Sequence, residues 1–169
     1  MLKLIHPFKI YTTTCNVPKQ LIGDLYAYKE TDIGLRKTSI GGWHSKTFNL
    51  TKKYDSRSYE WTRSIIESLE AIITKEWPAY RFDRGWFNIN GIGAGNRWHS
   101  HGDHPVVGVL YIKAPADSGS IEFRKDEEHF VYTPLTGDFV VFPGDLDHQV
   151  LASKTTDERI SMAINFRSI

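Results

Sequence analysis

The chain has little of several things, and each shortage excludes something. Cys15 is the only cysteine in 169 residues. No disulfide can form within the chain, so a reducing, cytoplasmic compartment fits best, of a bacterial cell or of the host of a phage-borne copy. Nothing around that thiol marks it as a nucleophile. No apolar run reaches the roughly 20 residues that a membrane-spanning helix needs. Residues 1–11 lack the basic region and apolar stretch of a secretion signal. An excess of charge is missing too: 21 basic and 20 acidic side chains leave a formal +1. That balance gives no electrostatic case for nucleic acid or for a membrane surface, and it says nothing about oligomeric state. Internal repeats and low-complexity segments are absent, as is a Gly-x-Ser-x-Gly elbow. Gly91-Ile-Gly-Ala-Gly95 looks like part of a phosphate-cradling loop, but it runs into Asn-Arg-Trp-His rather than a helix, so it reads as a flexible connection.

What is present is a globular composition, 40% hydrophobic and 13% aromatic. The chain reads as one domain, 1–169, with a strand-and-helix front part (1–80) and a β-rich remainder (81–169). Leu2–Tyr11 is expected as a first strand, 12–16 as a turn, Val17–Tyr28 as a helix with Pro18 in its first turn, and Gly34–Lys46 as a loop around Gly41-Gly42. The strongest helix covers Arg57–Glu76, where Trp61, Ile65, Leu69, Ile72 and Ile73 form one apolar stripe, with Asp55 or Ser56 as its cap and Pro78 ending it. Beyond it, short strands are expected at Arg81–Asn90, Val106–Lys113, Ser120–Arg124, His129–Tyr132, Phe139–Phe142, Gln149–Ala152 and Arg159–Phe166. The fold class is therefore mainly β with flanking helices, a closed or two-sheet arrangement such as a jelly roll.

Within this frame the chemistry concentrates in three places. His99-Ser-His101-Gly-Asp103 offers both a His-x-His and a His-x-Asp step; His148 follows the strand Phe139–Phe142 and its Pro-Gly turn. Two imidazoles and a carboxylate on one side of an iron leave positions open for substrate and oxygen. His101 and His148 serve in either version, and the third ligand is Asp103 or His99. His104 and His129 read as surface or loop residues. Arg159 and Ser161 share one face of a strand, where a guanidinium and a hydroxyl could hold a carboxylate; a strand-end ion pair is the simpler alternative. Tyr111 could donate to the same group or simply fill the core. Asn88 and Asn90, with Trp86, share a strand face that could line a substrate pocket, and Trp98 could cover the site or pack in the core.

Six segments together resemble the 2-oxoglutarate/Fe(II) oxygenases of bacteria and phages, which are similar to the prolyl hydroxylases. They are Trp86-Phe-Asn-Ile-Asn90, Trp98-His-Ser-His101, Gly108-Val-Leu-Tyr-Ile-Lys-Ala-Pro115, Ser118-Gly-Ser-Ile-Glu-Phe123, Gly137-Asp-Phe-Val-Val-Phe-Pro143 and Arg159-Ile-Ser-Met-Ala-Ile-Asn-Phe166. The resemblance implies a double-stranded β-helix of the cupin-like kind. It implies Fe(II) held by the His99/His101/Asp103 cluster and His148, and 2-oxoglutarate held by Arg159 with Ser161 and Tyr111. The implied reaction is hydroxylation of a small molecule or peptide with release of succinate and CO2. The chain departs from the family in having Gly102 where a proline follows the second His, and Leu110-Tyr111 where a Tyr pair is common. Two rival expectations stand beside this one: a cupin-like metal enzyme that does not use 2-oxoglutarate, and a non-catalytic jelly-roll binding module.

Overall fold

The computed structural model describes residues 1–49 and 56–169, with side chains up to 49 and from 62 onward. Asp55, a candidate helix cap, and the side chain of Trp61 lie outside the described residues. The elements run β1 (Lys3–His6), β2 (Ile10–Thr14), α1 (Gln20–Thr31), β3 (Ser39–Ile40), β4 (Trp43–His44), α2 (Ser56–Glu76), β5 (Tyr80–Asn90), β6 (Gly95–His99), β7 (Val106–Lys113), β8 (Ile121–Lys125), β9 (Glu128–Tyr132), β10 (Asp138–Pro143), β11 (Asp147–Val150) and β12 (Arg159–Ser168).

The strands form two sheets, a major one in the order β1-β2-β10-β7-β12-β5-β4 and a minor one in the order β3-β6-β11-β8-β9. Every pairing is antiparallel. The two faces of the major sheet are separated by period-2 alternation. On β12, Ile160, Met162, Ile164 and Phe166 are fully buried in one apolar cluster with Leu21 and Leu25 of α1 and Ile66, Leu69 and Ile73 of α2. Burying each of these side chains stabilises the fold by roughly 1.5–3 kcal/mol. The opposite face meets the minor sheet through Val107, Tyr111, Val140 and Phe142 against Ile121 and Phe123. Phe123 and Phe142 pack edge to face across the gap, ring centroids 4.9 Å apart. This is the double-stranded β-helix with helices covering one side.

Several local expectations change. Leu2–Tyr11 is two strands and not one, because the chain reverses between His6 and Ile10 with Lys9 at φ 61°. Thr12 to Thr14 continue β2 instead of turning, since Asp138, Phe139 and Val140 of β10 pair with them. Gly34–Lys46 carries two short strands, pinned by Asp32, whose carboxylate accepts from the amides of Gly34 and Lys46 (both 2.9 Å) while its carbonyl accepts from Trp43 Nε1 at 2.8 Å. Strand β6 has no β-branched residue to announce it and exists through its pairing with β11 and β3.

Candidate metal centre

The inward faces of the two sheets converge on three imidazoles. His99 ends β6 and pairs directly with His148 on β11; His101 follows two residues after β6. One ring nitrogen from each of His99, His101 and His148 lies within 4.8 Å of the others. The ring centroids are 4.3 Å apart for His99 and His148, 5.1 Å for His101 and His148, and 5.3 Å for His99 and His101.

In each ring Nδ1 faces an acceptor. His99 Nδ1 is 2.7 Å from Arg97 O, His148 Nδ1 is 2.9 Å from Leu146 O, and His101 Nδ1 is 2.7 Å from Asn165 Oδ1. An acceptor at Nδ1 requires the proton there, which leaves the lone pair on Nε2 in all three rings. That is the form in which imidazole binds a metal. Burial lowers the pKa of all three, His101 to about 4 and His148 to about 3, with the charge of His99 as the next cause for both. The three side chains are neutral donors at ordinary pH, and this donor set fits a divalent transition metal.

These shifts have a consequence for the metal-free protein. Free imidazoles protonate near pH 6.5, so on acidification the unfolded chain takes up protons before the folded one does. Stability rises with pH across that interval. The melting temperature is expected to hold above about pH 6.5 and to fall progressively toward pH 4. Thermal melts check this, and a flat profile across the interval would show the rings to be solvated.

The structure does not bring two of the sequence candidates to this cluster. Asp103 is exposed in the turn after His101. Trp98 is on the opposite face of β6 from His99, with Arg124 stacked over its ring at 4.4 Å and His129 edge-on at 5.8 Å. Arg124 in turn pairs with Asp147 at 3.1 Å, and His129 with Glu122 at 2.8 Å, so these side chains form the outer surface of the minor sheet.

The other candidates line the inward face of the major sheet. Arg159 pairs with Asn90 and Ser161 with Asn88 across β5, while Ser161 faces Tyr111 across β7. Arg159 is 2% exposed, and burial pulls its pKa down. Its Nη1 donates to Ser118 O (2.9 Å) and Gly119 O (2.7 Å); with the Asn90 amide turned so that oxygen faces the guanidinium, Nη2 donates to Asn90 Oδ1 at 2.7 Å. Among the described residues no carboxylate pairs with it. The buried side chains of Tyr111, Asn88 and Ser161 make no hydrogen bond among the described residues.

Sequence reasoning missed three residues here. His44 pairs with Asn88 at the sheet edge, and its ring stacks at 5.6 Å on Trp86, which stacks at 5.6 Å on His101. Asn165 holds His101, and its signal was available, because it continues the alternation of Arg159 and Ser161 along one strand. Gly144 is the third. Its carbonyl accepts from the His101 amide at 2.6 Å, and a Cβ there would sit 1.8 Å from His104 O. Gly144→Ala must displace the turn that carries His101. A loss of metal affinity of at least about tenfold is expected in a metal titration, since second-shell disturbances alone cost 10–100-fold.

Comparisons with known proteins bear on the fold. Residues 124–165 match a family model described as "Putative 2OG-Fe(II) oxygenase". A prolyl-4-hydroxylase from Pseudomonas putida superposes with a TM-score of 0.66 at 21% identity, covering 95% of this chain and 92% of the other. The chain is built on the fold of the prolyl-hydroxylase-like 2OG-Fe(II) oxygenases. A viral collagen prolyl hydroxylase from Paramecium Bursaria Chlorella virus-1, solved as a 2OG complex, gives a TM-score of 0.65 at 16% identity, with 95% and 96% covered. HygX from Streptomyces hygroscopicus, solved with nickel and 2-oxoglutarate, gives 0.69 at 9% identity, with 94% and 82% covered. No curated protein matches in sequence. Among the described residues no helix is long and apolar enough to cross a membrane.

Proposed function

We propose that this protein is an Fe(II)- and 2-oxoglutarate-dependent oxygenase that hydroxylates a small-molecule or peptide substrate. The observation that carries the reading is Arg159, a buried cation with no carboxylate partner among the described residues, on the same strand face as the Asn165 that holds a candidate metal ligand. A buried charge without a counter-charge is costly, and a dicarboxylate whose other end reaches the metal would supply one. His99, His101 and His148 would hold the iron through Nε2. Arg159 would bind the far carboxylate of 2-oxoglutarate, with the Tyr111 and Ser161 hydroxyls donating to it. When bound, iron and 2-oxoglutarate supply oxygen activation: the keto acid becomes succinate and CO2, taking one atom of O2, and the other atom enters a substrate C–H bond. Asn88, Asn90, His44 and Trp86 would line the substrate side, where their amides and rings suit a polar ligand.

The test is an anaerobic titration of the metal-free protein with Fe(II) and then 2-oxoglutarate, watching for the visible charge-transfer band of the chelate. The expected result is a band that requires both. A second reading, a three-His metal enzyme that does not use 2-oxoglutarate, is favoured by one observation: no carboxylate joins the cluster among the described residues. Tight Fe(II) binding without the band would select it. Failure to bind Fe(II) would select a non-catalytic module.

A further inference from the structure

Behind His101 a line of polar side chains runs from the metal centre to the surface. Asn165 is 4% exposed and extends from β12 between two imidazoles. Its Oδ1 accepts from His101 Nδ1 at 2.7 Å, and its Nδ2 is 3.3 Å from His104 Nδ1. His104 Nε2 lies 2.9 Å from the Asp83 carboxylate. Asp83 is anchored by Arg84 at 2.7 Å, with Arg167 at 3.8 Å. Burial pushes the Asp83 carboxyl up, but hydrogen bonds from His104 and Arg84 outweigh this and hold it below the usual range.

We infer that Asn165, His104 and Asp83 are positioning residues that select the metal-binding tautomer of His101. The inference rests on the reading of His101 as a ligand. A carboxylate can only accept, so Asp83 places a proton on His104 Nε2. With its single N–H on Nε2, the ring presents a lone pair at Nδ1, which faces Asn165 Nδ2 at 3.3 Å and accepts from it. His101 O lies 3.2 Å from His104 Nδ1 and accepts from the His104 backbone amide at 3.2 Å. With Nδ2 committed to His104, Asn165 can offer only its oxygen to His101. His101 is thereby protonated on Nδ1 and keeps its Nε2 lone pair for the metal. The opposite amide orientation would place an N–H donor against Nδ1 and move the His101 proton to Nε2, where it would block ligation. The ligand's usable form is therefore set by a carboxylate two hydrogen-bonding side chains away.

The argument predicts an unusual pattern of rescue. Aspartate at 165 has two acceptor oxygens and needs no partner to orient it, whereas asparagine does. With Co(II) as the probe, Asn165→Leu is expected to lower affinity about 10–100-fold and Asn165→Asp only a few-fold. His104→Leu is expected to lose roughly 3–10-fold when residue 165 is Asn, and nothing further when it is Asp. Long-range nitrogen–proton NMR of the metal-free protein, labelled at histidine, supplies a readout without metal. His101 is expected as the Nδ1–H tautomer in the wild type and as a mixture in His104→Leu. Equal losses from His104→Leu in the Asn and Asp backgrounds, or an unchanged His101 tautomer, would overturn the inference. Failure of the wild type to bind Co(II) would instead overturn the metal reading on which it rests.

Discussion

Arg159→Ala is expected to weaken 2-oxoglutarate binding by about 100- to 1,000-fold, or ~3–4 kcal/mol, while Fe(II) affinity stays within a few-fold. The size follows from burial. Arg159 is 2% exposed, and its other hydrogen bonds run to the neutral carbonyls of Ser118 and Gly119. A carboxylate placed there meets its full charge with little screening by water. Arg159→Lys should recover only part of the loss, because one ammonium cannot hold two carbonyls, an amide and a carboxylate in one plane. The check is the anaerobic band titration together with thermal melts. For a domain of this size, 2-oxoglutarate at 100 times its Kd should raise stability by about 2.7 kcal/mol and Tm by about 5–11 °C in the wild type. That shift should vanish in Arg159→Ala. A shift that persists would place the co-substrate elsewhere.

The second large effect concerns the ligand set. His148→Ala is expected to lower metal affinity by more than about 100-fold, since loss of outer partners alone costs 10–100-fold. His148 is 3% exposed and packed against Phe142 at 4.8 Å and Phe123 at 6.2 Å, so no surface residue can swing in to replace it. His99→Ala should behave alike. Asp103→Ala should change affinity by less than about threefold, because an exposed turn carboxylate holds no buried partner. Metal titrations of the three variants decide between a three-His centre and a two-His-one-carboxylate centre. A collapse of affinity in Asp103→Ala alone would restore the carboxylate.

Much of the fold was legible because its signals are local. The alternation from Arg159 to Phe166 announces β12, and the apolar spacing of Ile65, Leu69, Ile72 and Ile73 announces α2. The parts that were not legible depend on partners distant in sequence. Strand β6 is held by β11 and β3, and the loop 34–46 is ordered by Asp32, which lies outside it. The site shows the same division. Residue types narrowed the candidate ligands to a short cluster and His148, yet spacing alone left His99 and Asp103 open. Parity cannot separate them, since 99 and 103 are both odd; what differs in the structure is that β6 ends at His99, whose ring lies 4.3 Å from that of His148, while the turn at Gly102 leaves Asp103 exposed. Trp98 was ambiguous for another reason: one residue of register decides which face of β6 it occupies.

The rings and the groups that hold them come from both sheets, and this would make an ion bound there a gauge of sheet spacing. His99 and His148 belong to the minor sheet, while Asn165, which presents His101, belongs to the major one. In a swollen chain that keeps its strands but loosens the gap filled by Phe123 and Phe142, backbone pairing would survive while the nitrogens drifted beyond bonding distance. Loss of the ion would then precede any change in far-ultraviolet circular dichroism. If the three imidazoles hold a metal as proposed, its retention would be the more sensitive measure of whether the interior is packed as in the native state.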